Sequence, residues 1–331
     1  MHTFFMRRCL ELAEIGRGKT GINPMVGAVL VRDGVITAEG FHHEFGKAHA
    51  ELELLQKFEQ KIYSNDTLYV NLEPCCHRNK KTPPCTDIMI KSGFKHVVFG
   101  MRDPNPAVAG RGIEALRKAG IEVIGPVLED ECLRLNRGFV SMQKNLRPWI
   151  TLKIARTVDG RIANEDGSMM KITDDKQNAW SHEFLRARHD AILVGVGTII
   201  TDHSRLTIRS AERKREAENI WQPYRIIFDA QLRMPLTETV VTDRHVVKTI
   251  IVCSSHTDVK KKSELERRGV QVVECPVVAG EFDWTVLWKM LTTPKDSFYG
   301  ISSILVEGGG KTWKSFRNPG IVDQEITLLG S

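Results

Sequence analysis

His49 and Glu51 flank Ala50, Cys75 follows Pro74, and Cys85 follows the proline pair Pro83-Pro84. One imidazole and two thiolates suit zinc, and three protein ligands leave open the fourth position that a catalytic zinc requires. Glu51 is then available to carry protons rather than to bind metal. A His-x-Glu with a later Pro-Cys-x-x-Cys is the known signature of zinc-dependent nucleobase deaminases, and this chain matches it with a longer spacing between its cysteines. In that chemistry zinc lowers the pKa of bound water towards about 7, and the glutamate passes a proton to the leaving amine. The expectation is hydrolytic deamination of a nitrogen heterocycle, with Glu51 catalytic and His49, Cys75 and Cys85 holding Zn2+. A histidine or glutamate on its own would read as ordinary core or surface. The two proline-cysteine contexts make them a site, and a structural zinc would more often show four protein ligands.

These side chains need a frame. An amphipathic stretch with Phe4, Phe5, Cys9, Leu10, Leu12 and Ala13 predicts a first helix, ended by a turn over residues 21–24. Apolar runs at 26–31, 68–72, 96–99 and 121–124 predict strands, separated by helical stretches near 50–60, 85–92 and 110–119. His49 and Glu51 then fall on the first turn of a helix whose apolar face is Leu52, Leu54, Leu55 and Phe58, while Cys75 ends a strand and Cys85 opens another helix. Two helix N-termini bracket one site, where the dipole and free amides favour thiolates and carboxylates. A helix over 129–143 leads to the polar, proline-containing stretch Lys144-Asn145-Leu146-Arg147-Pro148, which marks a boundary between residues 1–145 and 146–331. The alternation then restarts, with strands at 149–154, 191–196, 225–228, 249–252, 270–273 and 303–306. Both halves are α/β. Residues 210–222 read as a charged surface excursion, and no internal repeat is present.

Composition agrees with two ordinary globular cores: 331 residues, 41% hydrophobic and 27% charged, which excludes disordered, collagenous and disulfide-stapled classes. A net charge of +6 and a pI near 8.9 suit an anionic small molecule and fall short of a nucleic-acid footprint. No run reaches the roughly 18 apolar residues of a membrane span, and the first residues lack a signal-peptide pattern. The expectation is a cytoplasmic protein with no membrane and no nucleic-acid partner. The odd count of seven cysteines, three of them within 75–85, argues for reduced thiols and metal.

In the first half, Asn23-Pro24-Met25-Val26-Gly27, Gly40-Phe41-His42, His49-Ala50-Glu51 and Glu73-Pro74-Cys75 stand in order. They are followed by Thr82-Pro83-Pro84-Cys85, Asp103-Pro104-Asn105-Pro106 and Val108-Ala109-Gly110-Arg111-Gly112. Through these segments the chain resembles the deaminase half of the bifunctional riboflavin-biosynthesis deaminase-reductase family, RibD. The resemblance implies a cytidine-deaminase-like three-layer domain, with Asn23 and His42 lining a pyrimidine pocket. It also departs at one place: nine residues separate Cys75 from Cys85, one more than the family spacing, which Cys76 would restore. Cys75 is favoured because it follows the proline at the strand end, and Cys76 remains the alternative.

Glycine patterns in the second half do not complete known motifs. Gly195-Val196-Gly197 lacks the third glycine of a dinucleotide fingerprint, and Gly310-Lys311-Thr312 lacks the first glycine of a P-loop. Glu307-Gly308-Gly309-Gly310, after a buried strand and before a helix, is a turn whose amides could cradle phosphate.

The family resemblance continues in this half through Lys153, Val158-Asp159-Gly160-Arg161, Leu185-Arg186-Ala187, Ile192-Leu193-Val194-Gly195, Leu206-Thr207-Ile208-Arg209 and Val306-Glu307-Gly308-Gly309. It implies a dihydrofolate-reductase-like domain using NADPH. Lys153, Arg186, Leu206, Arg209 and Glu307 would contact the ribosyl phosphate substrate; Arg156, Lys171, Thr198, Asp202, Gly309 and Gly310 would contact the cofactor. Met169 and Lys171 replace a serine and a tryptophan of the family, Arg156 replaces a small residue, and the chain ends at Leu328-Leu329-Gly330-Ser331 where the family carries more sheet. The implied function is deamination of diamino-hydroxy-phosphoribosylaminopyrimidine followed by NADPH-dependent reduction of its ribosyl chain, in a homo-oligomer, dimer or tetramer. Two alternatives share the zinc chemistry: a deaminase whose reductase-like half has little or no activity, and a nucleic-acid base deaminase. The second would call for a shorter Pro-Cys-x-x-Cys and a basic, aromatic-bearing surface.

Overall fold

A computed structural model describes residues 1–78, 83–162, 164, 170–209 and 221–330. Thr82, Met169 and residues 210–220 of the charged stretch lie outside the described residues. The chain divides into two compact units, Met1–Leu146 with Pro294–Tyr299, and Arg147–Thr293 with Gly300–Ser331. No helix among the described residues is long and apolar enough to cross a membrane.

The first unit comprises, in chain order, α1 (His2–Ile15), β1 (Gly27–Arg32), β2 (Val35–Phe41), α2 (Ala50–Lys57), β3 (Thr67–Leu72), α3 (Cys85–Ser92), β4 (His96–Met101), α4 (Arg111–Lys118), β5 (Glu122–Ile124), α5 (Glu129–Leu135) and α6 (Arg137–Asn145). Its sheet runs β2-β1-β3-β4-β5. The first two pairings are antiparallel and the last two parallel. The three-layer arrangement can be read from two glycines. A Cβ on Gly27 would strike the backbone of α1 at Cys9 and Ala13, and one on Gly40 would strike the backbone of α2 at Ala50 and Leu54. Gly40 pairs with Ala28, so its Cβ direction is opposite to that of Gly27, and α1 and α2 therefore cover opposite faces. With both faces covered, β1, β3 and β4 are almost wholly buried.

Two elements differ from the sequence expectation. Strand β2 was not among the predicted strands; it closes on β1 through Asp33-Gly34, both at positive φ, the turn chemistry of a tight hairpin. The helix expected over 129–143 is two helices that meet at Asn136, whose backbone (φ −100°, ψ 20°) leaves the helical range while its side chain bonds a distant residue. Its Oδ1 accepts from the Met25 N–H at 2.8 Å and its Nδ2 donates to the Met25 carbonyl at 3.0 Å.

The second unit comprises β6 (Trp149–Thr157), α7 (Asp175–Trp180), β7 (Ala191–Gly195), α8 (Val196–Asp202), β8 (Tyr224–Phe228), β9 (Thr249–Cys253), α9 (Val259–Arg267), β10 (Gln271–Glu274), β11 (Val277–Val278), β12 (Glu281–Phe282), α10 (Trp284–Thr292), β13 (Ser303–Val306), α11 (Gly310–Arg317) and β14 (Gln324–Gly330). The large sheet has the order β10-β9-β8-β7-β13-β6-β14, and every neighbouring pair is parallel. From β7 the strands wind outward through β8, β9 and β10, then β13 returns to the other side of β7. Carboxyl ends that flank such a reversal are where open α/β sheets bind ligands.

Candidate functional site

His49 caps α2 with extended backbone (φ −71°, ψ 160°), Cys75 lies just beyond the end of β3, and Cys85 is the first residue of α3. His49 Nδ1 lies 3.3 Å from Cys85 Sγ and 3.6 Å from Cys75 Sγ, and the three donor atoms fall within 4.8 Å of one another. Tetrahedral zinc, with bonds of about 2.0–2.3 Å, sets such donors about 3.5–3.8 Å apart, so the residues fit the ion. The start of α3 grips the Cys75 side: the Cys85 N–H donates to Cys75 Sγ at 3.5 Å, and the Thr86 N–H to the Cys75 carbonyl at 3.2 Å. Cys76 is not in this triad; it packs beside Cys75, Cys85 and Val108.

Glu51, two residues past His49, is 3% exposed, and its Oε2 has no hydrogen-bond partner. Burial raises its pKa, with His49 opposing the shift. A buried carboxylate oxygen left unpaired is costly, and His49, Cys75 and Cys85 are the groups that act on it electrostatically.

Asn23 and His42 come together on a neighbouring edge. His42 Nδ1 lies 2.9 Å from the Ala48 carbonyl, which can only accept, so that nitrogen carries the hydrogen. Its Nε2 is then the acceptor for the Asn23 amide at 3.3 Å, and burial, which lowers the His42 pKa, keeps the ring neutral. Glu53 ties this strand end to α2, accepting from the Phe41 N–H at 3.0 Å while bonding His43 and Lys57.

Glu73 is a residue whose role the sequence did not disclose. Its buried carboxylate accepts four backbone N–H groups: Gly112 (3.0 Å) and Ile113 (3.3 Å) at Oε1, Gly110 (3.0 Å) and Asp103 (3.2 Å) at Oε2. Both ends of the 103–112 segment are thereby pinned to the Pro74-Cys75 strand end, and a Cβ on Gly112 would overlap the Pro74 carbonyl. The segment between carries Val108, fully buried against Cys75 and Cys85.

In the second unit, a groove of about 1340 Å3 opens at the carboxyl ends of β6, β7, β8 and β13. Pockets for one small ligand run to about 1,000 Å3, so it can hold two. Glu307 accepts from Arg186 Nη2 at 2.6 Å and Nε at 3.3 Å, with Lys153 Nζ 3.9 Å away. Burial alone would raise its carboxyl pKa, but Arg186 and Lys153 outweigh it and hold the group at about 2. Leu206, at φ +53°, turns the chain into residues 207–209, which three side chains tether. Arg186 donates to the Thr207 carbonyl (3.0 Å), Gln222 brackets Ile208 at 2.8 and 3.4 Å, and His182 Nδ1 accepts from the Arg209 N–H (3.1 Å).

Arg209 lines the groove, and its guanidinium has no acidic partner among the described residues. Burial, Arg186 and Arg205 all lower its pKa. His182, also absent from the expected residues, sits in a π-type turn, Ser181–Leu185. Burial first, then Arg186 and Arg209, depress it to about 4, so it is a neutral acceptor.

Thr198, Asp202, Gly309 and Gly310 line the same groove, with Gly309 capping α11. Lys171 stands at its exposed rim, paired with Asp175 at 3.2 Å. Arg156 does not line it: Lys153 and Ala155 face the groove, and strand alternation turns Arg156 to the other side of β6.

Two family models match separate parts of the chain. The family model described as the cytidine and deoxycytidylate deaminase zinc-binding region matches residues 1–101, and the RibD C-terminal domain matches residues 148–330. The riboflavin biosynthesis protein RibD of Aquifex aeolicus is 39% identical over 325 residues, covering 98% of this chain and 85% of its own. Two solved structures also align with 99% of the chain and 86% of theirs. Acinetobacter baumannii RibD does so with a TM-score of 0.80 at 32% identity. The diaminohydroxyphosphoribosylaminopyrimidine deaminase/5-amino-6-(5-phosphoribosylamino)uracil reductase of Thermotoga maritima does so with a TM-score of 0.78 at 36% identity.

Proposed function

The chain belongs to the RibD family of bifunctional deaminase/reductases of riboflavin biosynthesis, and from that membership we propose that its units act in succession on one phosphoribosylaminopyrimidine. The observation that carries the proposal is the triad of His49, Cys75 and Cys85 with the unpartnered Glu51 oxygen beside it. His49, Cys75 and Cys85 would hold zinc, which would supply Lewis acidity that lowers the pKa of water enough to give a hydroxide nucleophile near neutral pH. Glu51 takes the proton from that water and delivers it to the departing amine, a role its burial suits. Asn23, oriented by neutral His42, accepts a hydrogen bond from the ring, and the segment carrying Val108 covers the cysteines from solvent.

In the second unit, Arg209, with Arg186 and Lys153, receives the ribosyl phosphate, since an arginine without an acidic partner matches phosphate oxygens. Leu206 shapes that end of the groove, and Glu307 fixes the Arg186 fork. The nicotinamide cofactor, proposed as NADPH, supplies the hydride. Thr198, Asp202 and the Gly309-Gly310 turn at the start of α11 would hold it, since backbone amides at a helix start suit phosphate. Lys171 reaches it from the rim; a contact from Arg156 would require that strand residue to face the other way. A homo-oligomer, dimer or tetramer, is proposed from the family resemblance alone.

The test is one assay on zinc-loaded protein with the diamino-pyrimidine, following ammonia and NADPH oxidation separately. Both signals are expected, with ammonia first. Glu51→Gln should lower ammonia release by about 10²–10⁴-fold while leaving NADPH oxidation on the deaminated pyrimidine intact. No ammonia from the zinc-loaded wild type would overturn the deaminase reading, and ammonia without NADPH oxidation would overturn the reductase reading.

A further inference from the structure

Residues Pro294–Tyr299 lie far along the chain, beyond most of the second unit, yet they pack into the first. Main-chain bonds between Lys295 and Phe298, at 2.8 and 2.9 Å, close them into a tight turn that presents Tyr299 to two loops. From the first loop, the Ile22 N–H donates to the Tyr299 carbonyl at 3.1 Å. Gly21, at φ +57°, lies so close that a Cβ would overlap that carbonyl. From the second loop, Glu44 Oε1 accepts the Tyr299 hydroxyl at 2.6 Å, and the Phe45 ring stacks on the Tyr299 ring, centroids 5.4 Å apart and planes 18° from parallel.

The first loop carries Asn23 and the second follows His42. Those two side chains meet at 3.3 Å, a separation that depends on where each loop sits. The loops are also tied where the Phe45 N–H donates to the Lys19 carbonyl at 3.0 Å and the His42 N–H to the Val26 carbonyl at 2.8 Å. Tyr299 adds one contact of each kind, main-chain to the first loop, charged hydrogen bond and ring stack to the second.

We propose that Tyr299 is a positioning residue for deamination, clamping the Gly21–Asn23 loop against the Glu44–Phe45 loop so that Asn23 and His42 present one fixed face to the heterocycle. It acts through Asn23 and His42, and the proposal rests on the reading that these two line the pyrimidine pocket. Holding a substrate contact in place is worth binding energy, because a loop that must be ordered on binding subtracts that ordering from affinity. The effect therefore falls on KM for the pyrimidine, while Glu51 and the metal triad keep the chemical step.

The test uses the full, zinc-loaded chain. Tyr299→Phe removes the bond to Glu44 and keeps the stack; Tyr299→Ala removes both. Expected are a KM increase of about 3–10-fold for Phe and at least about 10-fold for Ala, from the loss of one charge-assisted bond and then of the ring contact as well. Deaminase kcat should stay within about threefold, with bound zinc and NADPH oxidation of the deaminated pyrimidine unchanged.

Asn23→Ala supplies the discriminating arm. If Tyr299 works through Asn23, adding Tyr299→Ala to Asn23→Ala raises KM less than the product of the single effects. A merely structural tyrosine would give independent effects. Should Asn23→Ala leave KM unmoved, the pocket reading itself fails. Should Asn23→Ala raise KM while Tyr299→Phe and Tyr299→Ala do not, the clamp alone is refuted. Should Tyr299→Ala lose zinc, Tyr299→Phe decides: a raised KM with zinc retained supports the clamp, and an unchanged KM overturns it.

Discussion

Replacing Glu73 by glutamine tests the network beneath the metal cluster with almost no change in shape. The carboxylate serves two backbone N–H groups at each oxygen, at distances from 3.0 to 3.3 Å. Glutamine keeps one acceptor oxygen and sets an NH2 against the other pair of donors, whichever way the amide is turned. Two buried N–H groups are then unsatisfied, at about 1–3 kcal/mol each, or about 2–6 kcal/mol in all. The longer bonds of the set place the expected loss towards the lower half, about 2–4 kcal/mol. Against a domain stability of about 5–15 kcal/mol, that is a large fraction. Because the chain has two units, a single unfolding curve would mix them, so zinc release under urea serves as the reporter for the first. Amide hydrogen exchange at Asp103, Gly110, Gly112 and Ile113 reports the site itself. A lower urea midpoint for zinc release is expected, with faster exchange at one pair of these amides. Unchanged exchange at all four, with a stability loss under about 1 kcal/mol, would refute the claim that Glu73 holds the 103–112 segment.

Two further outcomes follow from the geometry. Cys75→Ser should leave the purified protein with almost no zinc and Cys76→Ser should leave it loaded, by metal analysis; the reverse pattern would move the ligand to Cys76. Glu307, held at about 2 against an ordinary 4.5, binds its proton less readily folded than unfolded. Its contribution to stability is therefore complete above about pH 4.5 and is lost as pH falls from there through about 2. Glu307→Gln should flatten the acid-unfolding profile of the second unit across that window, and a profile as steep as wild type would contradict the Arg186–Glu307–Lys153 cluster.

The parts of the molecule that could be read in the sequence are those where local chemistry and local geometry coincide. His49 and Cys85 sit at helix starts because a helix needs a non-helical residue before its first turn, and the apolar periodicity after each marks that start. Buried strands such as β3 and β4 show as short apolar runs. Strand β2 does not, because most of its residues are only partly buried, although the Asp33-Gly34 turn that commits it was visible. Asn136 looked like an interior helical position, and its partner, Met25, lies 111 positions away. His182, Glu73 and Tyr299 share that difficulty. Each satisfies or clamps backbone brought close by the fold, and a carboxylate chosen to meet amides 30 to 40 residues later leaves no period or spacing of its own.

Glycine leaves a partial trace of such assembly, and it explains why the motif letters around the site are informative beyond the ligands themselves. At Gly40 a side chain would collide with the backbone of α2 at Ala50 and Leu54, so the strand leading to His42 can approach the helix that carries Glu51 only without a Cβ. At Gly112 it would collide with the Pro74 carbonyl, next to Cys75, so α4 can approach the His49–Cys75–Cys85 cluster only on the same condition. The two glycines read from sequence as motif members are thus the contact points at which separate elements are brought to bonding distance of one centre. Enlarging either separates parts of the site without touching a ligand, which places the control of deaminase geometry in backbone approach as much as in the residues that perform the chemistry.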